Sequence, residues 1–176
     1  MTEQNENTLD SVQDSSENAF KKLGLSDTIV NALIEKGFTK PTQIQEKTIP
    51  LMLSDERDII GNAQTGTGKT AAFGLPIIER LTPKKGNVQA IILTPTRELT
   101  IQVSDELHSL KGKKNLKIVS VYGGASIDNQ FKQLKQGADI VVGTPGRVID
   151  HLKRKKLDLS AVDYVVLDEA DEMLTT

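Results

Sequence analysis

The stretch VDYVVLDEAD, residues 162–171, decides the fold class. Within its apolar run from Val162 to Leu167, Tyr164–Leu167 reads as a strand. Asp168 and Glu169 then stand at the carboxyl-terminal tip of that strand. A strand tip bearing two carboxylates suits the hydrolysis of a magnesium-bound nucleotide, where positioning and charge neutralisation do most of the chemistry. Upstream, residues 63–70 read AQTGTGKT. Further short apolar runs, Asp58–Gly61, Ala90–Leu93, Ile118–Tyr122 and Asp139–Val142, read as strands. Helical patterns lie between them, starting near Lys69, Arg97, Ile127 and Gly146. Short apolar strands alternating with helices predict a parallel sheet covered on both faces, an α/β doubly wound fold. Ligands of such sheets bind at the carboxyl ends of the strands, where the motifs fall.

Ahead of this pattern, residues 20–54 are helical in character. Leu25, Ile29, Leu33 and Ile34 recur at helix spacing, Ser26 is placed as an N-cap, and Gly37 closes that helix. Pro41 and Thr42 open the next one. Residues 1–18 carry five of the 24 acidic residues and no Lys or Arg. They are polar and unable to bury enough surface to order, so a disordered tail is expected there. The domain proper is expected over residues 19–176. Without the tail, the net charge of −2 becomes +3, a mild basicity compatible with nucleic acid.

The composition excludes several classes. The chain has no cysteine, which removes disulfides and thiolate metal sites. Its two histidines, His108 and His151, are too few for a histidine metal site and are expected at the surface. No apolar run reaches membrane-spanning length and no export signal is visible. The expected setting is cytoplasmic, with no membrane partner.

The loop Gln64, Thr65, Gly66, Thr67, Gly68, Lys69, Thr70 opens a helix. Glycines let backbone N–H groups approach phosphate oxygens, and the helix N-terminus adds favourable partial charge. Lys69 would reach the β- and γ-phosphates, and Thr70 would put its hydroxyl on Mg²⁺. Asp168 is placed to hold Mg²⁺, largely through water. Glu169 is placed to orient or deprotonate the attacking water. Ala63 stands where a P-loop usually has its first glycine.

Together these residues resemble the DEAD-box ATP-dependent RNA helicases of superfamily 2, in their N-terminal RecA-like domain. The resemblance covers roughly residues 20–176. Phe20 followed by GFTKPTQIQ at residues 37–45 looks like the Q motif, and AQTGTGKT looks like motif I, alanine included. PTRELT at residues 95–100 looks like motif Ia, with Thr100 where alanine is commoner. Gly123 and Gly124 look like the glycine doublet, TPGR at residues 144–147 like motif Ib, and Asp168 to Asp171 like motif II.

The resemblance implies ATP and Mg²⁺ as cofactors. Gln45 would read the adenine edge, Phe38 or Phe20 would support the base, and Lys40 would belong to the same nucleotide site. Pro95, Thr96, Arg97, Gly123, Gly124, Thr144, Pro145, Gly146 and Arg147 would bind single-stranded RNA, or one strand of a duplex, through its sugar–phosphate backbone. Low aromatic content argues against base-stacking platforms. Asp171 would couple motif II to a later motif. That motif III and the second RecA-like domain do not occur in this sequence, so the resemblance implies an incomplete enzyme that unwinds nothing alone. Two alternatives remain beside the helicase: a non-catalytic ATP- and RNA-binding module or clamp of a ribonucleoprotein, and a small-molecule P-loop kinase.

Overall fold

The computed structural model describes residues 12–17, 19–54, 57–84 and 86–175. Residues 12–17 are helical, so this part of the expected disordered tail is ordered. Its serines support the turn: the Ser15 and Ser16 hydroxyls both donate to the Val12 carbonyl. The remainder of the 1–18 expectation lies outside the described residues.

The chain divides into two compact units, residues 1–80 with 110–113, and residues 81–109 with 114–176. The first unit is helical. It contains α1 (Asp27–Glu35), α2 (Gln43–Ser54) and α3 (Lys69–Arg80). Ile29, Val30 and Leu33 of α1, Ile49 of α2 and Leu75, Ile77 and Ile78 of α3 form its apolar interior together with Phe20. Ser26 occupies the N-cap position of α1 without a capping hydrogen bond, because its hydroxyl donates to Glu79 Oε2 at 3.0 Å instead. Gly37 ends α1 at φ +86°, and the Phe38 N–H folds back to the Leu33 carbonyl. Only glycine takes that conformation without strain.

The expected strand over Asp58–Gly61 does not form. Ile60 is fully exposed there and Ile59 is 38% exposed. A strand exists only by pairing, and no strand is present among the described residues of this unit to pair with.

The second unit holds a four-stranded parallel sheet in the order β2-β3-β1-β4. Its elements are β1 (Ala90–Leu93), α4 (Arg97–Leu110, whose last residue falls in the first unit), β2 (Ile118–Val121), α5 (Ile127–Lys135), β3 (Ile140–Gly143), α6 (Pro145–Lys153), β4 (Tyr164–Leu167) and α7 (Ala170–Leu174). Ile91, Val119, Val121 and Val141 share one face and pack with Val148 of α6, with Leu134 of α5 against them. Ala90, Ile92, Ile140 and Val142 on the other face are fully buried. Both faces of the central strands are therefore covered, which explains their unbroken apolar runs. β4 is the exception. It pairs with β1, but Val165 and Leu167 remain 65% and 56% exposed.

At the amino ends of the strands, the buried Asp139 carboxylate ties segments together. It accepts from the Lys84 N–H, the Gln89 side chain and the Lys117 N–H, each at 2.9 Å. No described helix is long and apolar enough to cross a membrane.

Candidate functional site

The connections determine where a ligand fits. From β1 the chain crosses β3 to reach β2, whereas from β3 it crosses β1 to reach β4. Right-handed crossovers in opposite directions lie on opposite faces. Neighbouring strands β1 and β3 thus send their chains apart, and a crevice opens beyond their carboxyl ends. Two loops flank it, Thr94 to Arg97 and Thr144 to Arg147.

Backbone hydrogen bonds extend the sheet into these loops. Asp168 N–H donates to Leu93 O at 2.9 Å, Thr94 N–H to Gly143 O at 3.0 Å, and Thr144 N–H to Val121 O at 3.0 Å. The acidic strand tip is therefore one ladder step from the Thr94 loop. Gly143 has no room for a side chain, since a Cβ there would meet Val121 at 2.5 Å and Val148 at 2.8 Å.

Each loop leads into a helix start. The Thr96 hydroxyl accepts from Leu99 N–H at 3.2 Å and caps α4. Thr94 and Thr100 are fully buried, with their hydroxyls 2.6 Å apart. The threonine where alanine is commoner is thus a structural partner that pins the loop to its helix. Thr144 begins α6 with an extended backbone and no capping bond from its side chain, and Pro145 follows in the first turn. Pro95 is half-buried, while Gly146 is exposed. The first-turn N–H groups of α4 and α6 lack helical partners and suit anions.

The two arginines meet the β2–α5 loop. Arg97 lies over the Tyr122 ring, 5.3 Å from its centroid. A Cβ on Gly124 would come within 3.3 Å of Arg97 Nη1, and Gly124 has φ +80°. Arg147 Nη1 donates to Ala125 O at 3.0 Å and to Gln130 Oε1 at 3.1 Å. Exposed Gly123 and Gly124 sit between these contacts. The expected residues Pro95, Thr96, Arg97, Gly123, Gly124, Thr144, Pro145, Gly146 and Arg147 therefore belong to loops and helix starts at one end of one sheet.

Three participants carry no motif signature: Tyr122, Gln130 and His151. His151 corrects the expectation of a surface histidine, because it is fully buried. Its Nε2 lies 3.1 Å from Gln130 Oε1, and its Nδ1 has no partner among the described residues. Burial first, then the Arg147 and Arg154 charges, holds its pKa below the ordinary histidine value, and Asp150 opposes them. The detectable signal was its spacing, three residues after buried Val148 on α6.

At the acidic tip, Asp168 is buried at 8% exposure and Glu169 takes φ +51°, ψ +50°. That left-handed conformation in a glutamate marks a strained turn between β4 and α7. Asp171 is exposed in the first turn of α7.

The glycine-rich loop lies in the first unit. Residues 61–64 are irregular, residues 65–66 turn, and Lys69 and Thr70 begin α3. Gly66 and Gly68 have φ +79° and +83°. Thr67 Oγ1 closes the loop onto Gln64 O at 2.5 Å. Gln45, 1% exposed, accepts from Thr42 N–H at 3.0 Å and donates to Gly68 O at 3.3 Å. A Cβ on Gly68 would lie 2.4 Å from Gln45 Nε2. Gln45 thus braces the loop, a task the sequence did not disclose. Phe20 is fully buried and meets Phe38 edge-on at 6.3 Å. Lys36 lies 5.7 Å from the centre of the Phe38 ring, and Lys40 is exposed nearby in sequence.

Asp168, a buried carboxylate of the second unit, and Thr70, a hydroxyl of the first, each offer an oxygen donor of the kind a hard cation takes. No cluster of three metal-ligating side chains occurs among the described residues. Oxygen donors of either kind are compatible with Mg²⁺, which keeps waters and shares phosphate oxygens.

A parallel sheet of this order, with motif-bearing loops at its carboxyl edge, defines an α/β protein of the RecA-like kind. Residues 42–176 match the family described as DEAD/DEAH box helicase, and the chain belongs to that family. It is 59% identical over 155 residues to a protein of Methanocaldococcus jannaschii described as a probable ATP-dependent RNA helicase, covering 88% of this chain and 42% of that protein. It is 55% identical to the ATP-dependent RNA helicase CshA of Listeria monocytogenes, covering 88% of this chain and 30% of the relative. The crystal structure of a DEAD box protein from the hyperthermophile Methanococcus jannaschii superposes with a TM-score of 0.85 at 58% identity, over 89% of this chain and 43% of that one. The chain thus spans less than half the length of these relatives.

Proposed function

We propose that this chain forms the nucleotide- and RNA-binding part of an ATP-dependent RNA helicase. One observation carries the reading: Asp168 joins by backbone hydrogen bond to Leu93, immediately before the Thr94–Arg97 loop. A carboxylate suited to nucleotide chemistry and a loop suited to phosphate backbone thus share one ladder. Changes at one have a short covalent and hydrogen-bonded route to the other.

In this reading Lys69 neutralises the β- and γ-phosphates, and N–H groups of the Gln64–Thr70 loop surround them. Thr70 and Asp168 would hold Mg²⁺, which supplies charge neutralisation to the transferring phosphoryl group. Glu169 orients the attacking water and takes its proton. Gln45 retains one N–H and one acceptor lone pair beyond its two protein bonds, enough to read an adenine edge, with Phe38 beside the base. The α4 and α6 N-termini, Arg97, Arg147 and the glycine doublet bind RNA through phosphate and sugar, which makes recognition indifferent to sequence. Asp171 links hydrolysis to a partner segment of RecA-like character. Family membership and the names of the relatives support ATP and RNA as the ligands.

The test is phosphate release from ATP, with and without single-stranded RNA, by a two-domain protein that carries this chain together with a second RecA-like domain. RNA stimulation is expected, and Glu169→Gln should lower the stimulated rate about 100-fold while sparing ATP binding. Binding of both ligands with no release under any condition would favour the non-catalytic module. Stimulation by a small metabolite instead of RNA would favour the kinase.

A further inference from the structure

One side chain outside every motif ties the loops of the second unit together. Gln130 lies on α5 and is 5% exposed. Its Nε2 donates to the Tyr122 carbonyl at 2.9 Å, immediately before the glycine doublet. Its Oε1 accepts from Arg147 Nη1 at 3.1 Å and faces His151 Nε2 at the same distance. An amide oxygen only accepts, so His151 carries a proton on Nε2. Arg147 Nη1 divides its two hydrogens between Gln130 and Ala125 O. Among the described residues, no hydrogen bond engages its Nε or Nη2 hydrogens. Tyr122, held through its carbonyl by Gln130, in turn lies under the Arg97 guanidinium.

We infer that Gln130 is a positioning residue for RNA-backbone binding, fixing Arg147, the Gly123–Gly124 main chain and, through Tyr122, Arg97 in one arrangement. The inference rests on the RNA reading of these loops. Gln130 itself touches no RNA. Its effect is to remove the freedom of groups that must otherwise be ordered when a strand binds.

Three quantities measured on this chain test it: anisotropy of a fluorescein-labelled single-stranded RNA at low salt, binding of a fluorescent ATP analogue, and thermal unfolding. Gln130→Ala should weaken RNA binding about tenfold, the effect of losing a hydrogen bond to a charged group, with nucleotide affinity unchanged. Gln130→Glu keeps an acceptor for Arg147 and His151 but loses the donor to the Tyr122 carbonyl, so it should recover only part of the RNA affinity. Should Gln130→Ala not fold, Gln130→Asn replaces it, because the shorter amide cannot span all three partners. Parental RNA affinity in the shortened variant, equal loss of RNA and nucleotide affinity, or full parental affinity in Gln130→Glu would each overturn the inference. Arg147→Ala and Arg97→Ala separate the two levels. If both bind RNA as the parent does, the RNA reading itself fails. If both weaken binding while shortened Gln130 does not, only the role of Gln130 fails.

Discussion

Glu169 concentrates the conflict between stability and chemistry at the scale of one residue. Its left-handed backbone costs on the order of 1 kcal/mol relative to glycine, which adopts that region freely. Structure alone would favour glycine there. Glu169→Gly should therefore raise the unfolding midpoint slightly while removing RNA-stimulated phosphate release; thermal denaturation beside a phosphate assay reads both. Unchanged hydrolysis in that variant would take Glu169 out of the chemistry. Gln45 teaches a different lesson. A glutamine in a helix start carries no sign of what its amide will meet, and its bond to Gly68 spans 23 positions in sequence. Sequence identified the residue through family resemblance, but the bracing of the loop is a tertiary contact that no local pattern encodes.

At the scale of elements, β1 and β4 match the expected strands, and β2 and β3 differ from them by a residue at their ends. Their apolar β-branched runs leave little choice when both faces are buried. The run at Asp58–Gly61 has the same texture and makes no ladder. Texture reports what a strand can bury, not whether an edge is available to receive it. Gln130 and His151 were hidden for a related reason. Each occupies an inward position of an amphipathic helix, where a polar residue is normally unfavourable, and tertiary hydrogen bonds that local pattern cannot encode engage them.

That contact has a pH consequence. His151 is held neutral by burial and by the neighbouring arginines. Unfolding releases it to its ordinary pKa near 6.5, so below that pH the unfolded chain takes up a proton that the folded chain refuses. The contribution is complete above pH 6.5 and declines as pH falls, by at most about 1.4 kcal/mol per pH unit. Urea denaturation between about pH 7.5 and 5.5 should show this decline. His151→Gln, which keeps an N–H donor but cannot titrate, should flatten it. A parental stability that rises on acidification would contradict the burial argument.

Across the whole molecule, the features divide between the two units. The glycine-rich loop, Gln45 and Phe38 belong to the first, while the acidic tip and the arginine loops belong to the second. The fold class and the motif positions were legible in the sequence because parallel strands and phosphate loops have strong local signatures. The pinning of the loops by Thr94, Thr100, Tyr122 and Gln130 was not, because it joins residues from separate crossovers. The central claim is that one chain carries two sites of different chemistry. The most direct measurement titrates an ATP analogue and a single-stranded RNA separately against the parent, Lys69→Ala and Arg147→Ala. The account predicts that Lys69→Ala loses nucleotide binding and keeps RNA, and that Arg147→Ala does the reverse. Unchanged nucleotide affinity in Lys69→Ala, or unchanged RNA affinity in Arg147→Ala, would contradict it.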